Sequence, residues 1–309
     1  MDSLALATIF SGYAFFASAI SVNKLVLFSL PAFFFVGIRM LFSGITLLFF
    51  HVPNSKNIQK SNLRTDMANL LLIAALTTFI PSCLKAFGMQ QLNSSHATLF
   101  GSLDPFVTAI YAYFLWGERI NIRQFLGMCI AFLGIVFLIT ITNPTTPSFF
   151  TPRWLSIPEI ATIVSMIISR YGWIRAQRIL KNERYKPTEL NGILMTISGI
   201  YALSFSLLTE NWHRIIWPTN PAFYGVLAYA IFVGNIIGYS VYGALLKKYP
   251  ITLLSLCGLS VPLFVHLFGP LIVGEPLSPY FLVALALVAA GTWIFITNKA
   301  KTPQAEINA

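Results

Sequence analysis

Long apolar stretches of this 309-residue sequence contain a few ionisable side chains, the most informative of which are Arg39, Lys85, Asp104, Arg170 and His266. In lipid such a group costs about 2.5 to 3.5 kcal/mol on insertion scales unless it finds water or a partner. These residues therefore favour a ligand or ion pathway. The three cations Arg39, Lys85 and Arg170 outnumber the single carboxylate of Asp104. This balance favours a zwitterionic or anionic ligand over a purely cationic one.

Asp104 carries the sharpest chemical signal because it precedes Pro105 near the middle of an apolar segment. Proline lacks an N–H and leaves a carbonyl unpaired in the preceding turn. A carboxyl at this position can take up a coupling proton or hold a cationic amine. The structural alternative is an ion pair with Lys85 or Arg39.

The other ionisable groups allow both a functional and a structural interpretation. Arg39 lies mid-segment, where it can bind an anionic group with two parallel hydrogen bonds or form a buried salt bridge. Lys85 and Arg170 lie near segment ends, so their charges can also extend to the interface. His266 can change its protonation state or serve as an ordinary hydrogen-bonding group.

Aromatic and amide side chains recur at helical spacing in the same segments. Tyr13, Trp173, Tyr239 and Tyr242 can form an aromatic wall for a cation or a ring, against the alternative of ordinary packing. Asn235 shares a helical face with Tyr239 and Tyr242. We include these residues, except Tyr13, among the predicted substrate-binding residues.

Enzymatic constellations are not found in the sequence. The three cysteines are isolated, their number fits no disulfide framework, and no Cys/His spacing suits zinc. No nucleotide-binding loop or nucleophile elbow is present. We therefore predict no enzyme activity, no cofactor and no metal.

The composition predicts that these residues lie in a membrane, since 56% of the chain is hydrophobic, 10% is charged and the mean hydropathy is +0.74. A spanning helix needs about 20 apolar residues. Ten such segments occur, at Ser3 to Val22, Leu30 to Phe50, Met67 to Gly88, Ser94 to Leu115, Ile122 to Ile141, Ile157 to Arg175, Thr188 to Leu208, Pro221 to Leu246, Ile251 to Val273 and Pro279 to Asn298. The prediction is an all-α integral membrane protein with ten transmembrane helices. The first segment lacks a basic n-region, so we do not expect it to be a cleaved signal.

The net charge of +10 is distributed unevenly between alternate loops. Three Lys or Arg residues, Lys24, Arg153 and Arg214, fall on one side, and most of the others fall on the opposite side. Cytoplasmic loops carry such an excess, so both termini are predicted to be cytoplasmic. The charge therefore indicates topology and contact with membrane lipids rather than nucleic-acid binding.

An internal duplication is visible at a shift of 157 residues, which superposes Gly101, Pro105, Gly117, Glu118, Gly134 and Thr140 on Gly258, Pro262, Gly274, Glu275, Gly291 and Thr297. An odd number of helices in each copy makes the second copy inverted. The basic loop Gly117 to Arg123 accordingly corresponds to a loop at residues 274–280 that contains no Lys or Arg. We predict two inverted five-helix repeats at residues 1–141 and 157–298, with a linker at 142–156 and a cytoplasmic tail at 299–309.

The run Ser102-Leu103-Asp104-Pro105-Phe106, followed by Gly117-Glu118-Arg119-Ile120, Gly127 and Gly134, resembles the EamA-like repeat of the drug/metabolite transporter superfamily. The resemblance implies a ten-helix transporter of small organic solutes, often amino acids or related metabolites. The second copy departs from the first at Val261, where no acidic residue stands.

We therefore expect a secondary transporter that works by alternating access, is driven by a coupling proton or an exchanged metabolite, and lies in a bacterial inner membrane. S-adenosylmethionine or another nucleotide-like solute and hydrophobic drugs stay open as substrates. A lipid-linked carrier flippase and a membrane scaffold subunit stay open as functions of another class. A homodimer is included among the expected assemblies.

Overall fold

The computed structural model describes residues 3–50, 63–92, 100–117, 120–142, 156–182, 185–212, 215, 217–272 and 279–297, and no strand occurs among them. The α-helices, in chain order, are α1 (Ser3–Leu27), α2 (Ala32–Phe50), α3 (Leu63–Ala74), α4 (Ile80–Gln91), α5 (Asp104–Trp116), α6 (Ile122–Thr142), α7 (Ile157–Lys181), α8 (Pro187–Thr209), α9 (Pro221–Tyr229), α10 (Gly238–Lys248), α11 (Ile251–Cys257), α12 (Ser260–Ile272) and α13 (Phe281–Thr297). Two π-helical segments, Ala75–Phe79 and Ala230–Ile237, join α3 to α4 and α9 to α10. Each of the ten predicted segments overlaps at least one helix.

Within the described ranges, seven helical stretches are long and apolar enough to cross a bilayer, namely Leu6–Leu27, Ala32–Phe50, Met67–Gln91, Ile122–Ile141, Pro187–Thr209, Pro221–Lys248 and Ile251–Gly269. The other three predicted segments contain α5, α7 and α13. Only 13 residues belong to α5, and α13 has 17. Helix α7 is long enough, but it carries charged residues along its length. Large apolar side chains such as Phe49 and Leu208 are exposed, as a lipid-facing surface requires.

Two predicted segment ends are too early by at least one helical turn. Helix α1 continues to Leu27 instead of ending at Val22, and α7 continues to Lys181 instead of Arg175. The Lys24 ammonium donates to the carbonyl of Leu92 at 3.2 Å, so a charged residue in the last turn of α1 is accommodated. Hydropathy marks the apolar part of a helix and misses turns that extend past it.

The predicted fourth and ninth segments are interrupted helices, which corrects the expectation of continuous ones. A turn at Ser102 and Leu103 precedes α5, and a turn at Gly258 and Leu259 separates α11 from α12. Each break lies within four residues before a proline, Pro105 or Pro262. A proline ring clashes with the carbonyl four residues earlier but suits the first turn of a helix, so the helix restarts there.

The two π-helical segments are held in the same way by the opposite half of the chain. Ser198 of α8 donates to the carbonyl of Ala74 at 2.9 Å, and Ser43 of α2 contacts the carbonyl of Ile231 at 3.4 Å. Ala74 and Ile231 are related by the 157-residue shift, and the two serines by a shift of 155. In each half a serine hydroxyl from the opposite half therefore contacts a backbone carbonyl in or next to the π-helical segment.

Helices α2 and α8 pack closely through glycines that are again related by a shift of 155 residues, Gly37 with Gly192 and Gly44 with Gly199. A Cβ atom at Gly199 would lie 2.5 Å from the backbone nitrogen of Leu41. Small residues permit backbones to approach in a membrane, where packing rather than the hydrophobic effect holds helices together.

Helices α6 and α13 form a second close pair, in which a Cβ atom at Gly127 would lie 2.6 Å from the carbonyl oxygen of Gly291. A Cβ atom at Gly134 would lie 2.8 Å from Cβ of Leu287. Neither helix contributes a residue to the two cavities described below. The nearly apolar fifth and tenth segments therefore serve as a packing pair beside the cavities.

Candidate functional site

The first cavity, of about 240 Å³, lies where the two interrupted helices meet. Gly101 and Asp104 line it from the first break, and Gly258, Val261 and Pro262 line it from the second. The remaining wall comes from α1, from α7, from Thr77 of the first π-helical segment, and from α4 and α10, which follow the two π-helical segments. The cavity is therefore enclosed by equivalent elements of both halves.

An ion pair between the two halves occupies this cavity. Arg170 Nε of α7 lies 2.5 Å from Asp104 Oδ1 of α5. The Arg170 Nη1 atom also donates to the Tyr242 hydroxyl at 3.0 Å. Thr108 Oγ1 lies 3.4 Å from the same Asp104 oxygen. Arg170 thereby connects a carboxylate of the first half to a phenol of the second.

Two expectations for Asp104 are wrong. Its partner is Arg170, not Lys85 or Arg39, because α7 packs against both α4 and α5. It also begins α5 instead of lying in mid-helix, since the chain turns at the two residues before it. A carboxylate at a helix N-terminus is favoured by the unpaired N–H groups and the helix dipole there.

Aromatic rings line one side of the first cavity. Trp173 contacts Tyr242 edge to face at 5.0 Å between ring centroids and Tyr239 at 5.8 Å. Phe16 contacts Tyr239 at 5.2 Å and Tyr242 at 6.0 Å. The Tyr13 hydroxyl donates to the carbonyl of Leu254 at 2.5 Å, so this ring is fixed against α11. Trp173, Tyr13, Tyr239 and Tyr242 all line the first cavity, which is the arrangement that an aromatic wall requires.

The second cavity, of about 100 Å³, adjoins the first. The two share the lining residues Phe16, Ile20, Ser82, Lys85 and Tyr239. Arg39 and Asn235 line the second cavity, where the Asn235 amide nitrogen donates to the Arg39 carbonyl at 3.3 Å. The cavity extends to Asn23, Leu27 and Met89, near the ends of α1 and α4.

Eight of the nine predicted site residues line these cavities. The first contains Asp104, Arg170, Trp173 and Tyr242, the second contains Arg39 and Asn235, and Lys85 and Tyr239 border both. Arg170 pairs with Asp104 instead of extending to the interface, and Lys85 lines both cavities. His266 lines neither cavity and stacks on Phe281 at 5.9 Å.

Phe16 and Asn23 are two of the lining residues that sequence reasoning missed. Phe16 is one of 27 phenylalanines in the chain and carries no distinguishing signal. Asn23 lies one residue past the predicted end of the first segment, Val22. Among the residues that the structure describes, no group of three or more His, Cys, Asp or Glu side chains is arranged to hold a metal ion.

The cavities, the ion pair between two related halves and the lipid-facing apolar surface define a multi-pass integral membrane protein with a polar interior. The model of the EamA-like transporter family matches this chain twice, at residues 3–140 and 156–297. The chain belongs to this family, which confirms the resemblance to the drug/metabolite transporter superfamily.

Curated relatives of similar length also carry transporter names. A protein of Chlamydia muridarum (strain MoPn / Nigg) named S-adenosylmethionine/S-adenosylhomocysteine transporter is 25% identical over 293 residues, which cover 94% of this chain and 91% of the relative. An uncharacterized transporter of Archaeoglobus fulgidus is 24% identical over 299 residues, covering 96% and 98%. These names indicate a transporter family rather than an enzyme family.

A solved crystal structure has the same fold, with a TM-score of 0.75 at 16% sequence identity. The match covers 95% of this chain and 96% of the solved chain. At this identity the similarity concerns the fold alone.

Proposed function

We propose that this chain is a secondary active transporter that moves a small metabolite with an amino-acid head group across a bacterial inner membrane by alternating access. S-adenosylmethionine and S-adenosylhomocysteine are the first substrates to test, because a relative that matches nearly the whole chain carries their name. Two inverted five-helix halves rock about the cavity between them. An exchanged metabolite or a coupling proton drives the cycle.

The Asp104–Arg170 ion pair is the observation that carries this proposal, because its two members belong to different halves. Movement of the halves away from each other has to separate this pair. Separation leaves two charges that need water, a proton or a ligand group to compensate them. A ligand that compensates the charges can therefore be coupled to the movement.

The charges and rings of the cavities favour an amino-acid-derived substrate. Arg39, Lys85 and Arg170 oppose a single carboxylate, Asp104, which gives an excess of two positive charges among the residues lining the cavities. Such an excess disfavours a purely cationic drug. The rings of Phe16, Trp173 and Tyr239 supply apolar surface for a base or a side chain, while a zwitterion satisfies both signs of charge.

Ten transmembrane helices with both termini in the cytoplasm are part of the proposal. Among the described residues, Arg178, Lys181, Lys247 and Lys248 lie at the helix ends assigned to the cytoplasm, whereas Lys24 lies at the opposite end. A membrane-impermeant thiol reagent should label Ser29→Cys from outside intact cells and Lys248→Cys only after permeabilisation. The reverse pattern contradicts the assigned orientation.

Exchange in proteoliposomes tests the transport proposal directly. If exchange drives transport, vesicles loaded with S-adenosylhomocysteine should take up radiolabelled S-adenosylmethionine faster than empty vesicles. If a coupling proton drives it, empty vesicles should take up the label when a proton gradient is imposed. Uptake should be lost in Asp104→Asn. No uptake under either driving force contradicts these two substrates, and uptake equal to that of protein-free vesicles for a panel of amino acids contradicts the transporter class proposed here.

A further inference from the structure

The second cavity contains three deeply buried polar atoms that lack hydrogen-bond partners among the residues that the structure describes. They are Arg39 Nε, Asn23 Oδ1 and Asn235 Oδ1. All three residues are at least nine-tenths buried and line this cavity. Buried polar groups in folded proteins are nearly always paired, so three unpaired atoms around one cavity call for a ligand or ordered water.

Arg39 is held in place without a carboxylate partner in the described part of the chain. Its guanidinium lies over the Phe35 ring at 5.1 Å. Its carbonyl accepts from Ser43 at 2.7 Å and from the Asn235 amide nitrogen at 3.3 Å. These contacts fix the backbone and one face of the side chain while leaving Nε available for an anion.

The two asparagines supply acceptors. The amide nitrogen of Asn235 is committed to the Arg39 carbonyl and to Met40 Sδ, at 3.3 and 3.6 Å, which leaves Oδ1 as the free end of the amide. Asn23 comes from the last turns of α1 and Asn235 from a π-helical segment, so separate elements bring these oxygens to one cavity. Carbonyl oxygens at these positions suit N–H donors and repel anionic oxygens.

Lys85 adds a second cation at the junction of the two cavities. Its electrostatic neighbours are Arg39, Arg170 and Asp104. Since Arg170 already pairs with Asp104, Arg39 and Lys85 are the cavity-lining cations without an ion-pair partner among the described residues. Two cations beside two amide oxygens match a group that presents a carboxylate and an ammonium together.

We propose that the second cavity binds the head group of an α-amino acid. Arg39 and Lys85 bind the carboxylate, and the side-chain oxygens of Asn23 and Asn235 accept hydrogen bonds from the ammonium. The remainder of the substrate extends past Ser82 and Tyr239 into the first cavity, beside the aromatic rings. This inference rests on the proposed transport function and specifies how its substrate is recognised. A phosphate fits less well, because it cannot donate to the two amide oxygens when fully ionised.

Paired ligands test this assignment. Binding of S-adenosylmethionine, of its decarboxylated analogue and of 5′-methylthioadenosine, which lacks the head group, is measured on the full chain in nanodiscs. L-Methionine and its deaminated analogue 4-(methylthio)butanoate are measured alongside. The variants are Arg39→Gln and Asn23→Ala, and Arg175→Gln is a matched control outside both cavities. Size-exclusion profiles and unfolding midpoints verify that each variant is folded.

The wild type should prefer each intact amino acid over its decarboxylated or deaminated partner by about tenfold or more, since a site built for polar groups leaves them unpaired when the ligand lacks them. Arg39→Gln should remove the preference for the carboxylate, and Asn23→Ala should reduce the preference for the ammonium. The Arg175→Gln control should retain both preferences.

An equal loss of affinity for intact and truncated ligands in Arg39→Gln overturns the assignment, because it indicates a structural role for Arg39. Absence of binding by every α-amino acid tested overturns it as well. If S-adenosylmethionine fails but L-methionine binds in preference to 4-(methylthio)butanoate, and this preference is reduced in Asn23→Ala, the head-group site stands and the proposed substrates are wrong. A double variant that combines Arg39→Gln with Asn23→Ala should lose the preference for the carboxylate and for the ammonium. If it keeps both preferences, the proposed head-group site is wrong even if S-adenosylmethionine is transported.

Discussion

Ser198 contacts Thr78 in the π-helical segment of the first half and Ser43 contacts Ile231 in that of the second, yet the side chains that follow these two segments differ in kind. The 157-residue shift places Ser82 opposite Tyr239 and Lys85 opposite Tyr242. A hydroxyl and an ammonium in the first half thus correspond to two phenol rings in the second. The halves share a backbone arrangement and differ in what they present to the cavities.

The interrupted helices show the same contrast. Gly101 and Pro105 of the first half correspond to Gly258 and Pro262 of the second, while Asp104 corresponds to Val261. Positions where backbones touch tolerate few residue types, because any larger side chain separates the helices. Positions that face a cavity have no such constraint. A symmetric scaffold can therefore present an asymmetric site, which suits a substrate with a charged end and an apolar end.

Replacement of the acidic residue at the break should have the largest effect. Asp104→Asn leaves Arg170 buried without its carboxylate, and breaking a buried ion pair by removing one partner costs about 3 to 5 kcal/mol. Exchange of S-adenosylmethionine in proteoliposomes should fall by about 100-fold or more, if this cost falls on the transport cycle. The measurement is the initial rate per inserted protein molecule.

Val261→Thr at the equivalent position of the second half is the matched control, since it has nearly the same shape and carries no charge. Its exchange rate should stay close to that of the wild type. Equal losses in Asp104→Asn and Val261→Thr would remove the claimed difference between the two breaks.

The equivalence of the scaffold can be tested with Gly44→Ala and Gly199→Ala. Each added methyl group collides with the facing helix, at Thr196 and Leu41 respectively. Overpacking typically destabilises by about 1 to 3 kcal/mol, so both variants should have lower unfolding midpoints in detergent, by similar amounts. Gly225→Ala, whose new methyl group meets nothing within 4 Å, should not be destabilised. A loss confined to one of the two interface glycines would contradict the pseudo-symmetric packing.

The duplication, the helical fold and most of the site could be predicted from sequence because the membrane makes polar residues costly and therefore informative. Asp104, Arg170 and Lys85 stood out for this reason, and the structure brings all three to one cavity. The partner of Asp104 could not be predicted, since Arg170 lies 66 positions away in another half and reaches it only through tertiary packing.

The two helix interruptions lay within reach of sequence reasoning but were not predicted. In each half a glycine lies four residues before a proline, at Gly101 and Gly258, where the proline ring disfavours a helical carbonyl. Hydropathy does not register this pattern, because glycine and proline leave the segment apolar. Phe16 is a different case, since an aromatic residue in an apolar helix looks the same whether it faces lipid or a cavity.

A smaller effect is expected at Tyr242, which occupies in the second half the position that corresponds to Lys85 in the first. Tyr242→Phe removes the hydrogen bond from Arg170 but retains the ring. A hydrogen bond to a charged group contributes about 1.5 to 3 kcal/mol, so the half-saturation concentration for exchange should rise by about tenfold or more. Tyr111→Phe, at a tyrosine outside both cavities, is the control. An unchanged value in Tyr242→Phe would show that its hydroxyl does not assist Arg170 during transport.

The smallest effect is expected at His266, which was predicted as a site residue but lies outside both cavities. His266→Gln retains a hydrogen-bonding side chain of comparable size. The half-saturation concentration for S-adenosylmethionine exchange should match that of the wild type. A marked rise in this concentration without loss of folded protein would restore His266 to the substrate pathway and extend the site toward α12.

Thermal unfolding of the purified chain with and without S-adenosylmethionine tests most directly whether the substrate site includes the first cavity, which contains the Asp104–Arg170 ion pair. A ligand at 100 times its dissociation constant should stabilise the folded state by about 2.7 kcal/mol. We predict a raised unfolding midpoint in the wild type and in Val261→Thr, and no change in Asp104→Asn. A midpoint raised equally in Asp104→Asn would contradict the account, because the ligand would then bind without the ion pair that joins the two halves.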